Sequence, residues 1–135
     1  ETDMDKVIKM CLIHDLGECF TGDIPSFLKT NADTAKEDAL LAQWVETLPQ
    51  PYRQEMAALY AEMDALKTPE ARLYKALDKL EAVIQHNEAP IATWLPREYD
   101  LNLTYADENV AFSPYLTELR AAIRRDTEEK IQKGE

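Results

Sequence analysis

Glycine, cysteine and histidine are all scarce in this chain: three, two and two in 135 residues. The scarcity of glycine, with no useful length of alternating apolar and polar residues, argues against a turn-rich β architecture and leaves an all-α chain. Cys11 and Cys19 provide no disulfide framework. They read as reduced thiols, so the expected compartment is the cytoplasm. No apolar run is long enough to cross a bilayer, and no signal-peptide pattern is expected from these residues, so no membrane partner is anticipated. Positive charge is also short. Fifteen Lys and Arg against 26 Asp and Glu leave a net charge of −11. That balance argues against nucleic-acid polymers and anionic membranes as partners. A phosphorylated small molecule stays compatible, because a divalent metal would dominate the local field.

What is present is helical punctuation. The first helix is expected from Asp3 to Phe20. A turn over Gly22 to Pro25 and a segment from Ser26 to Ala32 follow. Thr34 with Glu37 reads as a capping box for a helix through Leu48, which Pro49 and Pro51 break. Tyr52 to Leu66 is the next helix, with Met56, Leu59 and Met63 at helical spacing. Thr68-Pro69-Glu70 starts another, running to about Asn87. Residues 88–112 read as a long connection with one short helix near Trp94. Ser113-Pro114 opens the last helix, which frays into the charged tail Lys130 to Glu135. The length fits one domain with a real core.

The chemistry gathers around His14-Asp15. The pair closes an apolar run, Val7 to Ile13, and precedes Glu18 and Thr21-Gly22-Asp23-Ile24-Pro25. One imidazole and three carboxylates this close suit a first-row divalent metal better than calcium alone. On a helix, His14 and Glu18 are four apart and Asp15 and Glu18 three apart, so they would share a face. Downstream, Leu73, Leu77, Leu80 and Ile84 make an apolar stripe, and Asp78 sits beside it. A carboxylate near a core boundary is unfavourable unless paired, hydrogen-bonded or metal-bound. His14, Asp15 and Asp78 are therefore expected partners across two packed helices. Plainer readings exist for each. His14 could be a core histidine hydrogen-bonded to a carbonyl, Asp78 could pair with Lys75 or Lys79, Asp15 could be a surface or capping residue, Glu18 could be a helix-surface acid, and Asp23 could simply form a turn. His86 follows Asp78 by about two helical turns, roughly 12 Å, and reads as structural. Lys29, Lys79 and Arg97 could each touch phosphate or remain solvated charges.

The combination of His14-Asp15, Glu18, Thr21-Gly22-Asp23-Ile24-Pro25 and Ala76-Leu77-Asp78-Lys79-Leu80-Glu81-Ala82 resembles the HD-domain metal-dependent phosphohydrolases. It is most similar to their 5′-deoxynucleotidase branch. The likeness spans residues 5–125 and includes the helix start at Phe112-Ser113-Pro114-Tyr115. It implies an all-α HD-domain bundle of about six helices. It also implies hydrolysis of a deoxyribonucleoside 5′-monophosphate to the nucleoside and phosphate. By this resemblance His14, Asp15 and Asp78 would hold a divalent ion, Co2+, Mn2+ or Mg2+. Glu18, Asp23 and the backbone carbonyl of Ile24 would serve a second ion. Glu18 has an alternative role, orienting or deprotonating the attacking water. Asp23 and Lys79 would touch the substrate, a small nucleotide, and the protein would be a homodimer.

The family pattern places a further His on an earlier helix. The other histidine here, His86, follows Asp78 instead. Residues 1–135 are therefore expected to be a single HD domain without its N-terminal helix or helices. Two non-enzymatic readings compete: a nucleotide-sensing HD domain and a helical interaction module. The retained Glu18 and Asp23 disfavour both. Hydrolysis of nucleotide diphosphates or alarmones is a related enzymatic alternative.

Overall fold

In the computed structural model, residues 1–25 and 27–134 are described, and every regular element among them is helical. Ser26 and Glu135, assigned from sequence to a connecting segment and to the charged tail, lie outside the described residues. The elements are α1 (Met4–Ile13), α2 (Glu18–Thr21), α3 (Asn31–Glu46), α4 (Tyr52–Ala65), α5 (Pro69–Glu88), α6 (Glu98–Thr104), α7 (Asp107–Val110) and α8 (Pro114–Lys133). A single 3-10 turn, Ile91–Thr93, lies between α5 and α6. Among the described residues six helices have seven residues or more, as the helical-bundle expectation requires. The chain forms two compact units, Glu1–Ala71 and Arg72–Glu135.

In the first unit, α4 packs against α1 and α3, and α2 packs against α3. Its buried apolar residues are Val7, Met10, Val45, Met63 and Ala71. Asp3 caps α1 by accepting from the Lys6 amide at 3.1 Å. The helix stops at Ile13, short of the expected Phe20. One long-range and one local side-chain bond explain the stop. The Tyr60 hydroxyl donates to the Ile13 carbonyl at 2.8 Å, and His14 Nδ1 lies 2.7 Å from the Cys11 carbonyl. Both carbonyls are thereby satisfied where helical bonding gives out. The chain then tightens, with the Leu16 amide bonded to the Ile13 carbonyl and the Glu18 amide to the Asp15 carbonyl. Gly17, a poor helix former, lies in this turn.

The start of α3 also differs from expectation. Its capping box is Thr30 with Asp33, four residues before Thr34 and Glu37. The Thr30 amide donates to the Asp33 carboxylate at 2.9 Å, and the Asp33 amide donates to Thr30 Oγ1 at 3.3 Å. Thr34 and Glu37 instead lie inside the helix, which leaves the Glu37 side chain available for other contacts.

In the second unit, Ala76, Leu80 and Val83 of α5 form a core with Ala106, Val110, Leu116 and Ile123. Leu73, Tyr105, Phe112 and Leu119 pack against it. The apolar stripe of α5 thus runs through Leu73, Ala76, Leu80 and Val83, and Ile84 is 38% exposed. Thr68 and Ser113 cap α5 and α8 by accepting from the Ala71 and Leu116 amides, as the Thr-Pro and Ser-Pro pairs indicate. The stretch expected as a long connection holds α6 and α7, and both pack on α8.

Candidate functional site

His14 and Asp15 stand where α1 ends. His14 is the residue that caps α1, Asp15 lies in the turn, and Glu18 opens α2. The single helical face expected for these three residues is therefore not formed, because the chain leaves the helix between them. The local geometry is still informative. A carbonyl oxygen only accepts, so the His14 Nδ1 beside the Cys11 carbonyl carries the proton. His14 Nε2 lies 3.0 Å from Asp15 Oδ2. In a neutral ring Nε2 is a bare lone pair, and so is the carboxylate oxygen facing it. Two lone pairs at that separation need a shared cation, either a proton or a metal ion. Imidazole nitrogen with carboxylate oxygen is a donor set that first-row divalent ions accept. These two residues fit such an ion.

Glu18 lies in an acidic neighbourhood with one cation. Burial, and then Asp15 and Asp23, push its carboxyl pKa above the ordinary value, while Lys29 pulls it back. Lys29 Nζ is 3.9 Å from Glu18 Oε1 and 2.7 Å from Glu37 Oε2. The Glu37 hydrogen bond holds the Lys29 ammonium above its usual pKa. Gly22, at φ +81°, turns the chain after α2 and leaves Asp23 exposed and Ile24 half-buried. Gly17 lets Glu37 approach. A Cβ placed on Gly17 would lie 2.7 Å from Glu37 Cγ. Gly17→Ala should therefore displace Glu37 from Lys29 and cost about 1–2 kcal/mol of stability, read by urea unfolding. An alanine variant as stable as the wild type would show that Glu37 moves freely.

Tyr60 belongs to the same unit. Burial, with a lesser effect of Cys19, pushes its hydroxyl pKa up to about 12, so it remains a donor to the Ile13 carbonyl. Sequence reasoning missed Lys29 with Glu37 as a pair, Gly17 as their clearance, and Tyr60 as the anchor. By sequence Glu37 reads as part of a cap. The acid at Glu18 and the glycine one residue before it were visible, but nothing local tied them to a glutamate nineteen residues on.

Asp78 and Lys79 belong to the second unit, on α5. Asp78 is half-buried, with Lys75 Nζ at 2.9 Å and Lys79 Nζ at 3.7 Å. The plainer sequence reading, pairing with these lysines, is thus present. Burial alone would lower the Lys75 pKa, but the Asp78 carboxylate outweighs it and holds the ammonium above its ordinary value. Lys79 also lies over the Tyr105 ring, 5.1 Å from its centroid. His86 is engaged elsewhere in this unit. Its Nδ1 lies 2.9 Å from Asn102 Oδ1, and its ring lies 5.9 Å from that of Trp94. Among the described residues, no three His, Cys, Asp or Glu side chains are gathered as a metal-holding group.

The helical architecture and the His-Asp pair at the end of α1 define a class. The HD domain family matches residues 1–120, and the chain belongs to it. Among individual proteins it is similar to the 5′-deoxynucleotidase HDDC2 of Mus musculus, 30% identical over 86 residues, 62% of this chain and 43% of that protein. The Danio rerio 5′-deoxynucleotidase HDDC2 is 34% identical over 87 residues, 62% of this chain and 43% of the relative. The Dictyostelium discoideum protein of the same name is 36% identical over 90 residues, 65% of this chain and 47% of the relative. The chain spans less than half the length of these relatives. No solved structure matches it. The HD-domain resemblance read from the residues is borne out. No helix among the described residues is long and apolar enough to cross a membrane.

Proposed function

We propose that this chain carries the metal-dependent centre of a phosphohydrolase acting on deoxyribonucleoside 5′-monophosphates, releasing the nucleoside and phosphate. The observation that carries it is the His14–Asp15 pair. Nε2 and Oδ2 face each other at 3.0 Å while Nδ1 is held by the Cys11 carbonyl. Family membership and the names of the relatives support the reaction class and the substrate. In this reading His14 and Asp15 would hold a divalent ion, Co2+, Mn2+ or Mg2+. Such an ion supplies Lewis acidity at phosphorus and a bound water of lowered pKa.

The chain's own groups do the rest. The Cys11 carbonyl fixes the His14 ring and its tautomer. Glu18, with its carboxyl raised above the usual range, orients the attacking water or receives its proton. With Asp23 and the Ile24 carbonyl, Glu18 would also offer oxygen donors of the kind a second hard ion takes. Asp23 would contact the nucleotide, and the same reading expects a homodimer.

The test is phosphate release from a panel of nucleoside 5′-monophosphates. Activity should fall to background with chelator and return with one of the three ions. Unchanged turnover after thorough chelation would eliminate the metal reading. Nucleotide binding without phosphate release would favour a sensing module instead.

A further inference from the structure

We propose that Lys29 is a built-in counter-ion of the Glu18 carboxylate and sets the affinity with which that carboxylate takes a divalent ion. The proposal rests on the reading above in which Glu18, Asp23 and the Ile24 carbonyl serve a second ion. Lys29 is no solvated surface charge. Its side chain is 22% exposed, and its ammonium sits 2.7 Å from Glu37 and 3.9 Å from Glu18. Glu37 is itself held in place. Its side chain is 13% exposed, the Thr21 hydroxyl donates to its Oε2 at 3.4 Å, and Gly17 leaves the clearance its Cγ occupies. Three elements therefore cooperate to hold one ammonium beside Glu18: the turn at Gly17, the end of α2, and α3.

The consequence is electrostatic. An ammonium within about 4 Å of a carboxylate repels a dication approaching the same oxygens, enough to shift the ion's affinity by about tenfold. A dication can bind Glu18 only as Lys29 yields. Glu37 gives the ammonium a partner to keep when it does. Lys29 thus competes with the ion, and the strength of the Lys29–Glu37 pair sets the terms. Asp15 and Asp23 act on Glu18 with the opposite sign, drawing cations toward it.

The experiment is a titration of the 135-residue chain with Mn2+ alone, reading free ion by electron paramagnetic resonance. Two classes of bound Mn2+ are expected, and the weaker one reports on Glu18. Lys29→Met should tighten the weaker class by about tenfold or more. Lys29→Arg should leave it unchanged, because the charge remains. Lys67→Met, on the turn before α5, alters net charge equally and should have no effect. No tightening in Lys29→Met, or equal tightening in Lys67→Met, overturns the proposal. Should Lys29→Met fail to fold, Glu37→Gln gives the second measurement. It releases Lys29 onto Glu18 and should weaken the same class by about tenfold, and an unchanged affinity there overturns the proposal. His14→Ala separates this proposal from the one beneath it. It should remove the tighter class alone. If the tighter class survives, the His14 assignment fails while the Lys29 result stands.

Discussion

Asp15→Asn should reduce metal-dependent phosphate release by about a thousandfold or more if the proposed function holds, because under that proposal the Asp15 carboxylate supplies charge that holds the ion and aligns its water. The fold should not notice. The Asp15 side chain is 61% exposed, and its carboxylate faces His14 Nε2. Replacing an exposed carboxylate by its amide changes stability by about half a kcal/mol at most. Unfolding midpoint and helix content should match the wild type. This separation makes Asp15 the sharper probe than Asp78. Removing Asp78 would also strand Lys75, whose ammonium is desolvated and leans on that carboxylate. A mixed loss of rate and stability would then be hard to apportion. Turnover of Asp15→Asn within about threefold of wild type would place Asp15 outside the reaction, since a group holding the ion cannot be lost so lightly.

The legible parts of this molecule are those set by neighbours in sequence. Thr68-Pro69 and Ser113-Pro114 mark the starts of α5 and α8 because a hydroxyl cap and a proline act within one turn. The His14-Asp15 pair was legible for the same reason, as two donors side by side. What escaped was set at long range. The end of α1 depends on Tyr60, forty-seven positions away, which takes the Ile13 carbonyl. No local pattern announces that, so the sequence reads as a helix through Gly17 with His14, Asp15 and Glu18 on one face. Lys29 and Glu37 reach Glu18 from eleven and nineteen residues downstream, by a turn and a helix. The capping box was misplaced because Thr30–Asp33 and Thr34–Glu37 both have a suitable spacing, and only the first lies where the chain enters the helix. Residues 88–112 read as connection because each helix there is short. Ala106 and Val110 nevertheless sit in the second core.

Those short helices depend on one buried cation, and Arg120→Met should show it with the largest stability loss expected in the chain. Arg120 lies on α8 with 2% of its side chain exposed. Its Nε donates to the Tyr105 carbonyl at 2.7 Å and its Nη2 to the Asn102 carbonyl at 2.9 Å. Both carbonyls belong to the end of α6, where helical acceptors are left without partners. Nε also lies 3.1 Å from Asp107 Oδ1, at the start of α7. One side chain therefore ends one helix and anchors the next, between them spanning the left-handed turn at Ala106. Burial lowers the guanidinium's pKa, and Asp107 partly offsets that. Methionine would fill much of the volume and none of the hydrogen bonds. A buried carbonyl, a part-buried one and part of a carboxylate would lose their partner, a defect that costs about 3–5 kcal/mol. For a chain of this size that is a fall of roughly 10–20 °C in Tm. Arg120→Lys should recover part of it, since an ammonium restores charge but not the two-armed geometry. Thermal and urea unfolding of the two variants decide the matter. A loss below about 1 kcal/mol in Arg120→Met, the range of an ordinary surface change, would mean that α6 and α7 are held by the core alone.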